Sequence, residues 1–117
     1  MEILTTKTNG VLIVTLIGRM DAEGAREFEG ACSTWDSLPV ILDISHLDYI
    51  SSSGLRALLK IKQESEKNTR KLALIGCHGT IERVFEVSGF AHLFLLYPSI
   101  SNALDSIAGT GIKITTR

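Results

Sequence analysis

The sequence is poor in the residues that disulfide frameworks and metal sites need. It has two cysteines, Cys32 and Cys77, which lie far apart and form no Cys-x-x-Cys motif. Two such cysteines build no disulfide framework, and their number is typical of the reducing cytoplasm. We interpret both thiols as small apolar packing groups. No set of ligands at fixed spacing predicts a metal site, and no loop predicts a bound cofactor.

Long apolar runs and basic runs are missing as well. No apolar segment reaches the roughly 18 residues that a membrane-spanning helix needs. Met1 and Glu2 lead directly into a strand-like segment, so no secretory signal is predicted. Twelve Lys and Arg residues stand against 13 Asp and Glu residues, which gives a net charge of -1. The sequence therefore argues against membrane insertion and against nucleic acid as the main partner.

What the sequence does contain is a regular alternation of apolar segments. With 117 residues, 44% hydrophobic and 21% charged, it predicts a single globular domain over residues 1–117. The predicted elements in chain order are strands at Ile3–Thr8 and Val11–Ile17, a helix at Ala22–Trp35, a strand at Pro39–Ile44, a helix at Ser52–Lys67, a strand at Lys71–Gly76, a helix at Thr80–Ser88, a strand at Leu93–Tyr97 and a helix at Asn102–Ala108. Gly109–Gly111 is predicted to end the last helix, and the tail Ile112–Arg117 is left unassigned.

The order of these elements predicts an α/β fold. Asn9-Gly10 is a strong hairpin signal, and strands and helices alternate after it. We expect an N-terminal hairpin feeding a mainly parallel mixed sheet of about four or five strands, flanked by about four helices. Right-handed crossovers bring the carboxyl ends of parallel strands to one edge, where ligands of such sheets bind. The loops predicted at this edge are Gly18–Asp21, Ser45–Gly54, Gly76–Gly79 and Tyr97–Ser101.

Three consecutive serines make the loop before the second helix the most informative one. Ser51–Gly54 stands between an apolar strand and an apolar helical segment, where backbone N–H groups are unpaired and the helix dipole favours negative charge. Serines there can cap the helix, carry or bind a phosphate, or present a nucleophile. One of the three is expected to be the cap.

The nucleophile alternative is a small serine hydrolase. Such an enzyme requires a Gly-x-Ser-x-Gly elbow, but the window Ile50–Gly54 lacks the first glycine. His46, His78 and His92 are candidate bases, yet none has a spacing that demands this role. Cys77, next to His78, is a second candidate reactive group. The sequence favours a protein that is not an enzyme and has no catalytic residue.

Three stretches together resemble the STAS domain family, which includes anti-sigma-factor antagonists and domains of sulfate transporters. Asp43–Leu55, written DISHLDYISSSGL, resembles the family signature. Gly18–Ala22 resembles a Gly-x-Leu-Asp segment before the first helix. Ile81–Phe90 resembles a basic, aromatic and small-residue pattern before the last strand. The stretches occur in the family's order, and the resemblance runs from about Ile3 to Ile107.

This resemblance implies a partner switch. The unmodified antagonist binds an anti-sigma factor that is also a serine kinase, phosphorylation of one serine separates the pair, and a serine phosphatase resets the cycle. By register the phosphoacceptor maps onto Ser52, with Ser51 and Ser53 as alternates. Many antagonists have Asp where this chain has Ser51. The alternative is therefore an unphosphorylated STAS adaptor or scaffold in a signalling complex.

The residues expected to bind the partner surround the acceptor. They are Asp21, Asp48, Ser51, Ser53, Gly54 and Arg56. Arg56 lies four residues after Ser52, a spacing that places both on one face of a helix and lets the guanidinium reach a phosphate. Phosphorylation is expected to change surface charge without unfolding the domain. We expect a cytoplasmic protein that is monomeric when free.

Overall fold

The hairpin predicted at Asn9-Gly10 forms the start of a five-stranded sheet. In a computed structural model that describes residues 1–35 and 37–107, Asn9 and Gly10 have φ values of 53° and 76°. Two consecutive positive φ values are typical of the two-residue turn whose twist matches that of its strands. The elements are β1 (Glu2–Thr8), β2 (Val11–Met20), α1 (Ala22–Cys32), β3 (Val40–Ile50), α2 (Ser52–Lys67), β4 (Leu72–Ile75), α3 (Gly79–Ser88), β5 (Leu95–Tyr97) and α4 (Ile100–Ile107).

The strands lie in the order β1-β2-β3-β4-β5. β1 pairs antiparallel with β2, and every later pair is parallel. Each parallel step needs a crossover, and α1, α2 and α3 supply the three crossovers. The predicted hairpin, mixed sheet and flanking helices are therefore confirmed for the described residues.

The two faces of the sheet bury different helices. One face packs against α1, α2 and α3 through a large apolar cluster that includes Phe28, Leu58 and Phe85. The other face packs against α4 through a smaller cluster that includes Ala103 and Ile107. β2 and β3 contribute to both clusters. This two-sided burial explains why the residues of β2 form a nearly continuous apolar run instead of an alternating one.

Both strands that lead to the serine edge are longer than predicted. β2 continues past Gly18 to Met20, and β3 continues past Ile44 to Ile50, so most of two predicted loops is strand. The prediction was wrong because polar residues interrupt the apolar pattern where the register between β2 and β3 shifts twice. At the first shift Asp43 Oδ1 accepts hydrogen bonds from the backbone N–H and the hydroxyl of Ser45, which stabilises the irregular backbone.

Smaller differences concern helix and strand ends. α1 ends at Cys32 and not at Trp35, and β5 begins at Leu95 because a 3₁₀ turn occupies Phe90–His92. α4 begins at Ile100, two residues earlier than predicted. The predicted end of the last helix, at Ala108 and Gly109–Gly111, lies outside the described residues, as does the unassigned tail Ile112–Arg117.

Candidate functional site

Two helix N-termini lie side by side at the carboxyl edge of the sheet. Met20 and Ile50 are register partners at the ends of β2 and β3, so the next residues, Asp21 and Ser51, begin α1 and α2 at neighbouring positions. Asp21 Oδ1 accepts a hydrogen bond of 2.9 Å from the backbone N–H of Gly24. Ser51 Oγ accepts one of 3.1 Å from the backbone N–H of Gly54. The structure therefore brings these predicted site residues together.

Ser51 is the cap that the sequence predicted among the three serines. Besides accepting from Gly54, its hydroxyl donates to the carbonyl oxygen of Met20 at 3.1 Å, and its backbone N–H donates to the same oxygen at 2.9 Å. The side chain is partly buried. Both hydrogen-bonding capacities of the hydroxyl are thus used to join the start of α2 to the end of β2.

Gly54 leaves the space in which α2 approaches the strand ends. A Cβ atom at this position would lie 2.7 Å from Ile50 Cγ1 and 2.9 Å from both the Cγ and the carbonyl oxygen of Met20. Real Cβ atoms do not approach other atoms this closely, so any side chain would push α2 away from β2 and β3. Gly54 acts through packing and sets the position of the two residues before it.

Ser52 and Ser53 differ in what their hydroxyls contact. Ser52 is exposed, and within residues 1–35 and 37–107 its hydroxyl has no hydrogen-bond partner. Ser53 is half-buried and accepts a hydrogen bond of 3.3 Å from Arg56 Nη2. Arg56 therefore lies along the first turn of α2, but in the unmodified protein its partner is Ser53. Of the three hydroxyls, that of Ser52 is the most accessible to another protein.

Asp48 lies at the second irregularity of β3. Gly18 pairs with Leu47 and Arg19 pairs with Tyr49, so Asp48 is the extra residue on the longer strand, and it is exposed. The shift aligns Arg19 with Tyr49 across the strands, and the guanidinium lies 4.2 Å from the centre of the Tyr49 ring. Neither Arg19 nor Tyr49 was predicted to be a site residue, since nothing local in the sequence indicates this shift.

The surroundings of Asp21 at the start of α1 stabilise its negative charge. The hydrogen bond from the Gly24 N–H lowers the pKa of the Asp21 carboxyl below its ordinary value, and this effect outweighs partial desolvation. The positive charge of Arg19 lowers the pKa further. Asp21 is therefore a negatively charged cap at neutral pH, whereas Ser51 is a neutral one.

The candidate bases do not meet the serines. No hydrogen bond in the described part of the chain joins His46, His78 or His92 to Ser51, Ser52 or Ser53. Instead His46 Nδ1 lies 3.0 Å from Ser45 Oγ, and His78 Nε2 lies 2.9 Å from the Ser45 carbonyl oxygen. The geometry gives no support to a serine hydrolase at this edge.

The cysteines are not activated either. Burial, together with the charges of Glu82 and Glu86, raises the pKa of the Cys77 thiol to about 11, and mainly burial raises that of Cys32 to about 12. Both thiols therefore stay protonated at neutral pH, which disfavours a nucleophilic role. Among the described residues there is no group of three or more metal-ligating side chains, and no helix is long and apolar enough to cross a membrane.

Comparisons with known proteins agree with the resemblance seen in the sequence. The model of the STAS domain family matches residues 2–103. BtrV of Bordetella bronchiseptica, whose name marks it as a candidate anti-sigma factor antagonist, is 32% identical over 97 residues, covering 80% of this chain and 84% of BtrV. The crystal structure of an anti-sigma factor antagonist from Mycobacterium paratuberculosis matches with a TM-score of 0.81 and 25% identity, covering 92% of this chain and 93% of that one.

The antagonist SpoIIAA, a Bacillus cell fate determinant, has the same fold in two states. Its unphosphorylated form matches with a TM-score of 0.76 and 20% identity, over 92% of this chain and 97% of SpoIIAA. Its phosphorylated form matches with a TM-score of 0.68 and 20% identity, over 90% and 98% of the two chains. At this identity the comparison concerns the fold.

Replacing Gly54 by Ala should destabilise the protein although Ala favours helices. The added Cβ would clash with Met20 and Ile50, so we expect the free energy of unfolding to fall by about 1–3 kcal/mol. Gly30→Ala is the matched control, because a Cβ in α1 at that position meets no atom within 4 Å. Gly30→Ala should raise the free energy of unfolding by about 0.5–1 kcal/mol. Urea denaturation measures both, and an equally stable G54A protein would contradict the packing role of Gly54.

Replacing Ser51 and Ser52 by Ala should separate the structural serine from the free one. Ser51→Ala removes the cap and the donor to Met20, so the free energy of unfolding should fall by about 0.5–2 kcal/mol. Ser52→Ala removes an exposed hydroxyl and should change it by less than about 0.5 kcal/mol. Thermal and urea denaturation of the two variants test this order, and the reverse order would show that Ser52 is the cap.

Proposed function

The chain belongs to the STAS domain family, and from this membership we propose that it is an anti-sigma-factor antagonist that acts by partner switching. It binds an anti-sigma factor that is also a serine kinase, loses this partner when Ser52 is phosphorylated, and is reset by a serine phosphatase. The protein itself is a substrate and performs no catalysis. The observation that carries the proposal is the exposed hydroxyl of Ser52 between a capping serine and a serine held by Arg56.

A phosphate on Ser52 would change the edge more than it changes the fold. It adds about -1.5 to -2 charges and three acceptor oxygens. The N-terminus of α2 favours that charge by roughly 0.3–1 kcal/mol, so the folded state is not weakened. Asp21 already places a negative charge at the neighbouring N-terminus. A partner docked over this edge then meets negative charges that its own groups do not neutralise. Such a mismatch reduces the free energy of binding by several kcal/mol.

Ser51 in place of the usual Asp does not remove the structural basis of the switch. Asp and Ser both accept a hydrogen bond from a helix N–H, so either one caps α2. Ser51 also donates to the Met20 carbonyl oxygen, which an ionised carboxylate does not do. Ser51 in place of Asp therefore keeps the backbone conformation that leaves Ser52 exposed to solvent. What it changes is the charge beside the acceptor, which bears on recognition by a kinase.

Affinity capture from the source cells tests the proposal. Wild-type protein, Ser52→Ala and Ser52→Asp serve as baits, and Ser53→Ala is the control because Ser53 is held by Arg56. We expect wild type, S52A and S53A to retain an anti-sigma factor, identified by mass spectrometry, and S52D to bind it at least tenfold more weakly. The wild-type protein should gain one phosphate, on Ser52, when incubated with ATP and the captured kinase.

Three outcomes would contradict this function. Equal retention of the partner by the unmodified and the Ser52-phosphorylated protein would exclude a switch and favour the adaptor alternative. Capture of no anti-sigma factor by any bait would exclude the antagonist function itself. Ester hydrolysis by wild type that disappears in S52A would instead favour the hydrolase.

A further inference from the structure

Arg19 and Tyr49 form a preorganised pair at the same edge. They face each other across β2 and β3 just after the second register shift, and both are exposed, Tyr49 to 37%. The Arg19 guanidinium lies 4.2 Å from the ring centre, within the range of a cation–π contact. Met20 and Ile50, the next residues, point into the core. Arg19 and Tyr49 therefore belong to the outer surface of the strand ends.

The ring contact leaves the charge of Arg19 unneutralised. In the part of the chain that the structure describes, the side chain of Arg19 forms no hydrogen bond and no ion pair, although its charge acts on Asp21. A guanidinium carries five N–H donors in a planar fork that matches a carboxylate. Stacking on Tyr49 restricts the side chain before any partner arrives, so less conformational entropy is lost on binding.

This pair is continuous with the phosphoacceptor. Tyr49 and Ser52 are three residues apart, and three residues span at most about 10 Å. Bulges commonly re-aim side chains beside functional sites, and the extra residue Asp48 has this effect on Arg19 and Tyr49. Arg and Tyr are also enriched among the residues that dominate binding energy at protein interfaces. A standard protein interface covers about 800 Å² on each partner, so a partner that covers Ser52 is large enough to reach the pair as well.

We propose that the stacked Arg19–Tyr49 pair is an anchor of the docking surface and binds a carboxylate of the anti-sigma factor. This inference rests on the proposed function, since it names the chemistry that the partner presents to the same edge. The carboxylate pairs with the free donors of Arg19, while Tyr49 supplies an apolar contact and holds the guanidinium in place. The pair thereby selects partners with an acidic group opposite β2.

Charge reversal at Arg19 tests the anchor with the purified anti-sigma factor that affinity capture identifies. Binding to wild type, Arg19→Glu and Lys7→Glu is measured by calorimetry at low and high salt. Lys7 is the matched control, since it is exposed on β1 opposite Leu12, roughly 23 Å along β2 from Arg19. We expect R19E to bind roughly tenfold or more weakly and to lose most of the salt dependence, and K7E to bind as wild type.

Substitutions at Tyr49 test the role of the ring without changing the charge. Tyr49→Phe keeps the face on which Arg19 stacks and should bind as wild type. Tyr49→Leu removes that face and should weaken binding about two- to fivefold. Thermal denaturation verifies that each variant is folded. If R19E does not fold, the comparison of Y49L with Y49F still tests whether the Arg19–Tyr49 pair anchors the partner.

The anchor and the proposed function fail in different ways. If no anti-sigma factor binds wild type, the proposed function is wrong. If one binds and R19E binds it as tightly as wild type, or more tightly, the anchor is wrong while the function stands. An equal loss in R19E and K7E would also overturn the anchor, because it would reflect the net charge of the protein and not a local contact.

Discussion

The carbonyl oxygen of Met20 holds the candidate site together. It accepts from both the backbone N–H and the hydroxyl of Ser51, and so joins the end of β2 to the start of α2. Gly54 lets the first turn of α2 lie directly against Met20 and Ile50. Because these contacts occupy Ser51 and Gly54, Ser52 between them is turned to solvent. The accessibility of one hydroxyl is thus a consequence of how closely a helix packs on two strand ends.

The charges at this edge are arranged around that hydroxyl. Asp21 caps α1 as an anion and Ser51 caps α2 without a charge, while Arg56 lies on the first turn of α2 and Arg19 on the end of β2. The edge therefore presents both signs of charge on a backbone that packing holds in place. Under the proposed function, a covalent charge added there would alter what a partner meets and would leave the core untouched. Such an arrangement suits a protein whose regulation lies in its surface.

Much of this fold was predictable because its signals are local. Asn9-Gly10 predicted the hairpin, and the apolar segment after the serines predicted α2 from Ser52 to Lys67, as the structure confirms. Asp21 caps α1, and its position directly before a helical segment is typical of such a cap. The extensions of β2 and β3 were missed because their polar residues are stabilised by pairing with each other, and such pairing leaves no pattern within one strand.

By itself the sequence determined the order of strands and helices, the edge at which the serines lie and the membership of the family, since each depends on neighbouring residues or on motifs. Only the tertiary structure decided which serine is the cap, which is free, and that Arg19 stacks on Tyr49. Ser51 and Met20 are 31 residues apart, and they meet only because β2 and β3 pair in one particular register. Contacts of this kind are set by the packing of whole elements, which local sequence patterns do not encode.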